Sequence, residues 1–113
     1  MDISKLAAKP QLLEIKIDDA DIVETYGEEI TFWMKDHLDL GTYFDFYKFQ
    51  KESSSEQLMN TLRKIILNAE GQPAIDDESI LPVDITLAVM VKINDNLGKS
   101  KARLSKKEVG TQP

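Results

Sequence analysis

All eight aromatic residues of this chain fall within a stretch of 24, from Tyr26 to Phe49: Tyr26, Phe32, Trp33, Tyr43, Phe44, Phe46, Tyr47 and Phe49. Aromatic rings carry the largest apolar area per side chain and dominate both cores and interfaces. A chain of 113 residues builds one domain with a modest core. So dense a cluster is therefore either the packing centre or a docking surface, and the rest of the chain has to fold around it.

The pattern on either side of the cluster predicts an α+β fold, mainly α, in which a short two-stranded sheet near the N-terminus packs against three or four helices. Residues 1–10 have no sustained period and read as a flexible lead. In QLLEIKI, Leu13, Ile15 and Ile17 alternate against Leu12, Glu14 and Lys16, the spacing of a half-buried strand. Asp18 and Asp19 are positioned to cap a two-turn helix, DADIVETY, that Gly27 closes. The run EEITFWMKD alternates Ile30, Phe32 and Met34 against Thr31, Trp33 and Lys35, which predicts a second strand joined to the first by a wide hairpin or a crossover. TYFDFYKFQKES follows as a helix with Tyr43, Phe46, Tyr47 and Phe49 on one side and Phe44 on the other.

Ser53 with Glu56 forms a capping-box pattern, and Leu58, Met59, Leu62, Ile65, Ile66 and Ala69 then share a helical face that ends at Gly71, with Pro73 beyond. QPAIDDESIL reads as a polar connector. Pro82 suits the first turn of a last helix, VDITLAVMVKINDNL, that Gly98 would end. Residues 85–93 also alternate as a strand would; the Pro start, the Gly stop and the length favour helix. That helix is apolar nearly all round, so it is either buried or half of an oligomer contact. The expected organisation is a lead over 1–10, one globular domain over 11–98, and a basic, mobile tail over 99–113.

Charge follows the same division. Residues 1–98 hold 9 Lys/Arg against 19 Asp/Glu, whereas residues 99–113 hold 5 against 1. The body repels nucleic acid, and the short basic end reads as a solvated tail rather than a nucleic-acid arm. There is no cysteine, hence no disulfide, thiolate metal site or thiol nucleophile, consistent with a reducing cytoplasm. No run approaches the roughly 20 apolar residues of a membrane span, and a soluble, untargeted protein is expected.

No constellation points to catalysis or to a cofactor. Gly98-Lys99-Ser100 resembles the end of a phosphate loop, but the glycine needed five residues earlier is Ile93. Asp18, Asp19, Asp21 and Glu24 lack the spacing and central glycine of a calcium loop, and Asp76, Asp77 and Glu78 read equally as solvated acids. His37, the single histidine, has no nucleophile or metal partner outlined around it. Phe32, Phe46 and Tyr47 are assigned to the core. Trp33, Tyr43 and Phe44 are the candidate partner-binding residues, with Met90 and Ile93 on the last helix.

The succession YGEEITFWMKD, the aromatic helix TYFDFYKF, the connector NAEGQPAI, the LPVDI start of a final helix and LGKSKARLSKK resembles the small tail assembly chaperones of tailed bacteriophages. The similarity covers roughly residues 11–98 and is one of pattern. It implies a mostly helical, non-enzymatic protein of the host cytoplasm that binds the tape measure protein, keeps its hydrophobic helices from aggregating and helps bring tail tube protein to it. It also implies a longer frameshifted form, for which slippery codons would lie near Leu97-Gly98-Lys99 or Ser105-Lys106-Lys107. The alternative is a structural virion component of the neck, baseplate or tail-completion type.

Overall fold

In a computed structural model of the chain, residues 1–7 and 9–110 are described along the backbone, and side chains as far as Leu97. The architecture is α+β and mainly α: among the described residues there are four α-helices and a two-stranded antiparallel sheet near the N-terminus. The chain divides into two compact units, Met1–Lys16 with Thr31–Ile80, and Ile17–Ile30 with Leu81–Pro113.

The first unit holds the sheet and two helices. Strands β1 (Leu12–Ile17) and β2 (Ile30–Lys35) pair as the alternation predicts. Ile15 and Ile17 of β1 and Phe32 and Met34 of β2 are buried while Glu14, Lys16, Thr31 and Lys35 face water. The open end of the sheet is closed by Gln11 and Asp36: Gln11 N–H donates to the Asp36 carboxylate at 2.8 Å, and Asp36 N–H donates to the Gln11 carbonyl at 2.8 Å. The connection between the strands is long enough to contain a helix, so the pair forms a wide hairpin.

Helix α2 (Leu40–Lys51) and helix α3 (Ser55–Ile65) follow as a helical hairpin. Their turn is tight, and Ser53 takes a left-handed φ of 56° in it. This geometry displaces the expected capping box by one position: Ser54, not Ser53, occupies the cap of α3, and its side chain makes no capping hydrogen bond.

α3 also ends earlier than the apolar period predicts. Ile65, Ile66 and Leu67 are all buried, and three consecutive side chains on a helix would fan over about 200° of its circumference. Turning extended at Ile66 lets all three point inward. Local chemistry favours the same break. The Asn68 side chain accepts from Glu70 N–H and Gln72 N–H, both at 3.0 Å, and Gly71 takes φ 80° in the turn. Asn side chains compete in this way with helical backbone bonding. The freed Leu67 then bridges β2, exchanging backbone bonds with Trp33 at 3.0 and 2.7 Å.

The second unit holds α1 (Ala20–Tyr26) and α4 (Val83–Gly110). Gly27 ends α1 in the left-handed region at φ 83°, as a C-terminal glycine should. Asp19 stands at the N-cap without a side-chain bond, so its carboxylate favours α1 through the helix dipole. α4 resolves the helix-or-strand ambiguity over residues 85–93 in favour of helix. Ile85, Val89 and Ile93, four residues apart, form its buried stripe. Gly98 lies within α4 rather than at its end. Side chains from Gly98 onward fall outside the described residues, and with them the expected mobile tail. Tyr26 Oη donates to the Asp84 carboxylate at 2.9 Å, and Lys92 Nζ lies 3.9 Å from Asp18, so α1 and α4 are tied at two points.

Candidate docking surface

Helix α2 is built to display rings. Asp39 caps it, accepting from Thr42 N–H at 3.1 Å and from the Thr42 hydroxyl at 2.7 Å. The Thr42 hydroxyl, then its N–H, hold the Asp39 carboxyl below its ordinary range. Lys48 and Lys51 in the last turn complement the other end of the dipole. Between these caps the 3.6-residue pitch sorts the aromatics. Phe46 is 1% exposed and anchors the helix, Tyr43 and Phe49 are half-buried, and Phe44 is 56% exposed. Leu40 and Tyr47 are also exposed, which completes an outward stripe of Leu40, Phe44 and Tyr47 at i, i+4, i+7. Phe44 is steadied by an edge-on contact with Tyr43, ring centres 5.8 Å apart and planes at 65°. Lys48 stands 5.7 Å from the Phe49 ring centre.

Two assignments change. Tyr47 belongs to this outward stripe and not to the core, because Phe46 at the neighbouring position takes the inward direction and successive helical residues diverge by about 100°. Ile93 is 0% exposed and cannot meet a partner. Trp33 and Met90 are half-buried, and the Trp33 backbone is committed to Leu67. Of the five sequence candidates, Phe44 lies on an open face and Tyr43 supports it.

The residues that sequence reasoning missed are Leu40, Tyr47 and, on α4, Val83, Leu87 and Val91, all exposed. A signal for the second set was present. Once Ile85, Val89 and Ile93 are taken as the inward stripe, the set offset by two residues points about 200° away from it.

Acidic clusters serve local structure. Asp76 accepts from Ser79 N–H at 2.8 Å and Glu78 N–H at 3.0 Å, forming the turn before α4. The Ser79 side chain first, then these N–H groups and the charge of Arg63, depress the Asp76 carboxyl. An open depression of about 360 Å³ is lined by Asn60, Arg63, Lys64, Pro73, Ile75 and Asp77. Arg63 is fixed there by Asn60 Oδ1 at 2.9 Å and the Ser79 carbonyl at 3.2 Å, its buried Nε having no hydrogen-bond partner. These bonds use the guanidinium to hold the connector onto α3. His37 is exposed. Among the described residues, no group of three His, Cys, Asp or Glu side chains is placed to hold a metal ion, and no helix is long and apolar enough to cross a membrane.

Comparison with protein-family models, with curated proteins and with solved structures finds no match to this chain.

Proposed function

We propose that this protein is a non-enzymatic binding protein of phage tail assembly: it holds apolar helical segments of the tape measure protein on the outward stripe of α2 and helps recruit tail tube protein, in the host cytoplasm. The docking half of this reading is carried by the exposure of Leu40, Phe44 and Tyr47 along one line of a helix that Phe46 anchors and Asp39 caps. A soluble chain gains nothing in its own fold from three large apolar groups aligned in water, and such a stripe fits the groove or apolar face of another helix. The surplus of acids over residues 1–98 supports the same reading, since net charge keeps an exposed apolar face dispersed until it is covered. The choice of partner is carried by the resemblance of the sequence pattern to tail assembly chaperones.

Co-expression with the tape measure protein tests the proposal. The expected result is a soluble complex that is lost when Leu40, Phe44 and Tyr47 are together replaced by Ser. A tape measure protein that stays insoluble beside the unmodified chain contradicts it. Mass spectrometry of purified particles separates this role from that of a structural subunit: a chaperone is abundant in infected cells and missing from finished particles.

A further inference from the structure

We propose that the outer edge of β1 is a self-association surface, on which two copies of this chain pair antiparallel through β1 about a two-fold axis at Ile15 and join their sheets into one. The proposal is independent of what α2 binds.

The ladder fixes which backbone groups of β1 are free. Asp36 N–H donates to the Gln11 carbonyl, and on the far side of β2 the Trp33 backbone exchanges both its bonds with Leu67. In an antiparallel strand the N–H and C=O of one residue point to the same neighbour, and the direction alternates along the chain. Gln11, Leu13 and Ile15 therefore face β2, and Leu12, Glu14 and Lys16 turn their N–H and C=O groups away from it. β1 is an end strand of its sheet, and among the described residues no backbone bond reaches Leu12, Glu14 or Lys16 from outside. Such a row of unpaired donors and acceptors is a template for another strand.

The charges on this edge select the occupant. The centre of β1 reads Glu14-Ile15-Lys16. Laid antiparallel against itself, it sets Glu14 opposite Lys16 of the second copy, Lys16 opposite Glu14, and Ile15 against Ile15 at the axis. Glu14 and Lys16 are the residues whose backbone is free, so each charged pair also exchanges both N–H to C=O bonds. Directly opposite side chains share a face of the sheet, and opposite charges there are favourable while like charges are not. Within one chain Lys16 Nζ already lies 3.7 Å from Glu14 Oε1, with the two side chains 58% and 50% exposed. The pairing thus forms a square in which each carboxylate has one lysine beside it and another across from it. Ile15 is buried on the other face, so its meeting with the second Ile15 continues the apolar side. Moving the axis to Glu14 or to Lys16 would set like charges against each other, so the same charges fix the register. The contact is identical on both copies and closes as a dimer, the commonest symmetry of soluble oligomers.

Sedimentation velocity of the full-length protein over a concentration series tests this, and the expected result is a reversible dimer. Glu14→Lys or Lys16→Glu alone makes the facing charges alike and should weaken the dimer about tenfold or more. Glu14→Lys and Lys16→Glu together restore opposite pairs and should bring the dimer back. All three variants change exposed side chains only and should keep the circular dichroism signal. Amide exchange followed by NMR reads the strand pairing itself: the Glu14 and Lys16 N–H groups should exchange slowly in the dimer and quickly in the single reversals, with Ile15 N–H protected in both. A chain that stays monomeric throughout the series overturns the proposal. So does a dimer that the single reversals leave equally tight, a double reversal that dimerises no better than the single ones, or fast exchange at Glu14 and Lys16 in the dimer.

Discussion

Phe44 and Phe46 stand two residues apart on one helix and face opposite ways, so the same substitution at each should fail differently. Phe46 is 1% exposed. Phe46→Ala removes a packed ring from a small core and should cost about 3–5 kcal/mol of folding stability, a large part of the roughly 5–15 kcal/mol available to a domain of this kind. Phe44 is 56% exposed. Applied to a ring area of about 200 Å², that leaves about 110 Å² for a partner to cover, worth about 3 kcal/mol at about 25 cal/mol per Å². Phe44→Ala should therefore weaken partner binding by about 100-fold while lowering folding stability by about 1 kcal/mol or less. Urea unfolding followed by tryptophan fluorescence measures folding stability, and titration of a tape measure peptide, followed by calorimetry, measures binding. Comparable unfolding losses for both variants would refute the assignment of faces. A Phe44→Ala protein that binds as tightly as the unmodified chain would refute the docking role.

Other consequences follow from single residues. Gly27 takes φ 83° with nothing within 4 Å of an added Cβ, so Gly27→Ala should cost about 1–2 kcal/mol through backbone strain alone, and Gly27→Asn less, in thermal unfolding. Ile93→Ala should cost about 2–5 kcal/mol and Val91→Ala, on the exposed stripe, about 0.5 kcal/mol or less, which denaturant midpoints would separate. The carboxyls of Asp39 and Asp76 are both depressed by hydrogen bonds they accept. Their contribution is thus complete above the ordinary carboxyl value of 3.8 and is lost as pH falls through the lowered folded values. Helical circular dichroism should hold steady from neutral pH to about pH 5 and fall below about pH 4, and Asp39→Ala should remove the part of that acid transition that belongs to α2.

Much of the fold was legible because short-range pattern and long-range packing agree. The alternation of Leu13, Ile15 and Ile17, and of Ile30, Phe32 and Met34, marks strands in which Ile15, Ile17, Phe32 and Met34 are buried as expected, with Leu13 and Ile30 half-buried. The Asp and Gly flanking DADIVETY mark its helix. Where sequence reasoning failed, tertiary demands overrode a local signal. The α3 period continues through Ala69 in the sequence, yet burying Ile65, Ile66 and Leu67 together, with the Asn68 turn and the pairing of Leu67 to Trp33, ends the helix at Ile65. The docking face was half legible. Phe44 was placed outward correctly, but the choice between Phe46 and Tyr47 depends on the phase of the helix, which Phe46 alone fixes by taking the core position. Ile93 was misassigned because an apolar residue on an all-apolar helix does not reveal which side is covered.

The central claim is that the exposed line through Phe44 meets a tape measure helix. Replacing Phe44 with a photo-crosslinking phenylalanine analogue, illuminating infected cells and sequencing the adduct by mass spectrometry tests it most directly. The account predicts an adduct to an apolar helical segment of the tape measure protein from position 44, and none from the same analogue at the buried position 46. Crosslinks from position 44 that lead only to other proteins, with the tape measure protein present in the same cells, would contradict it.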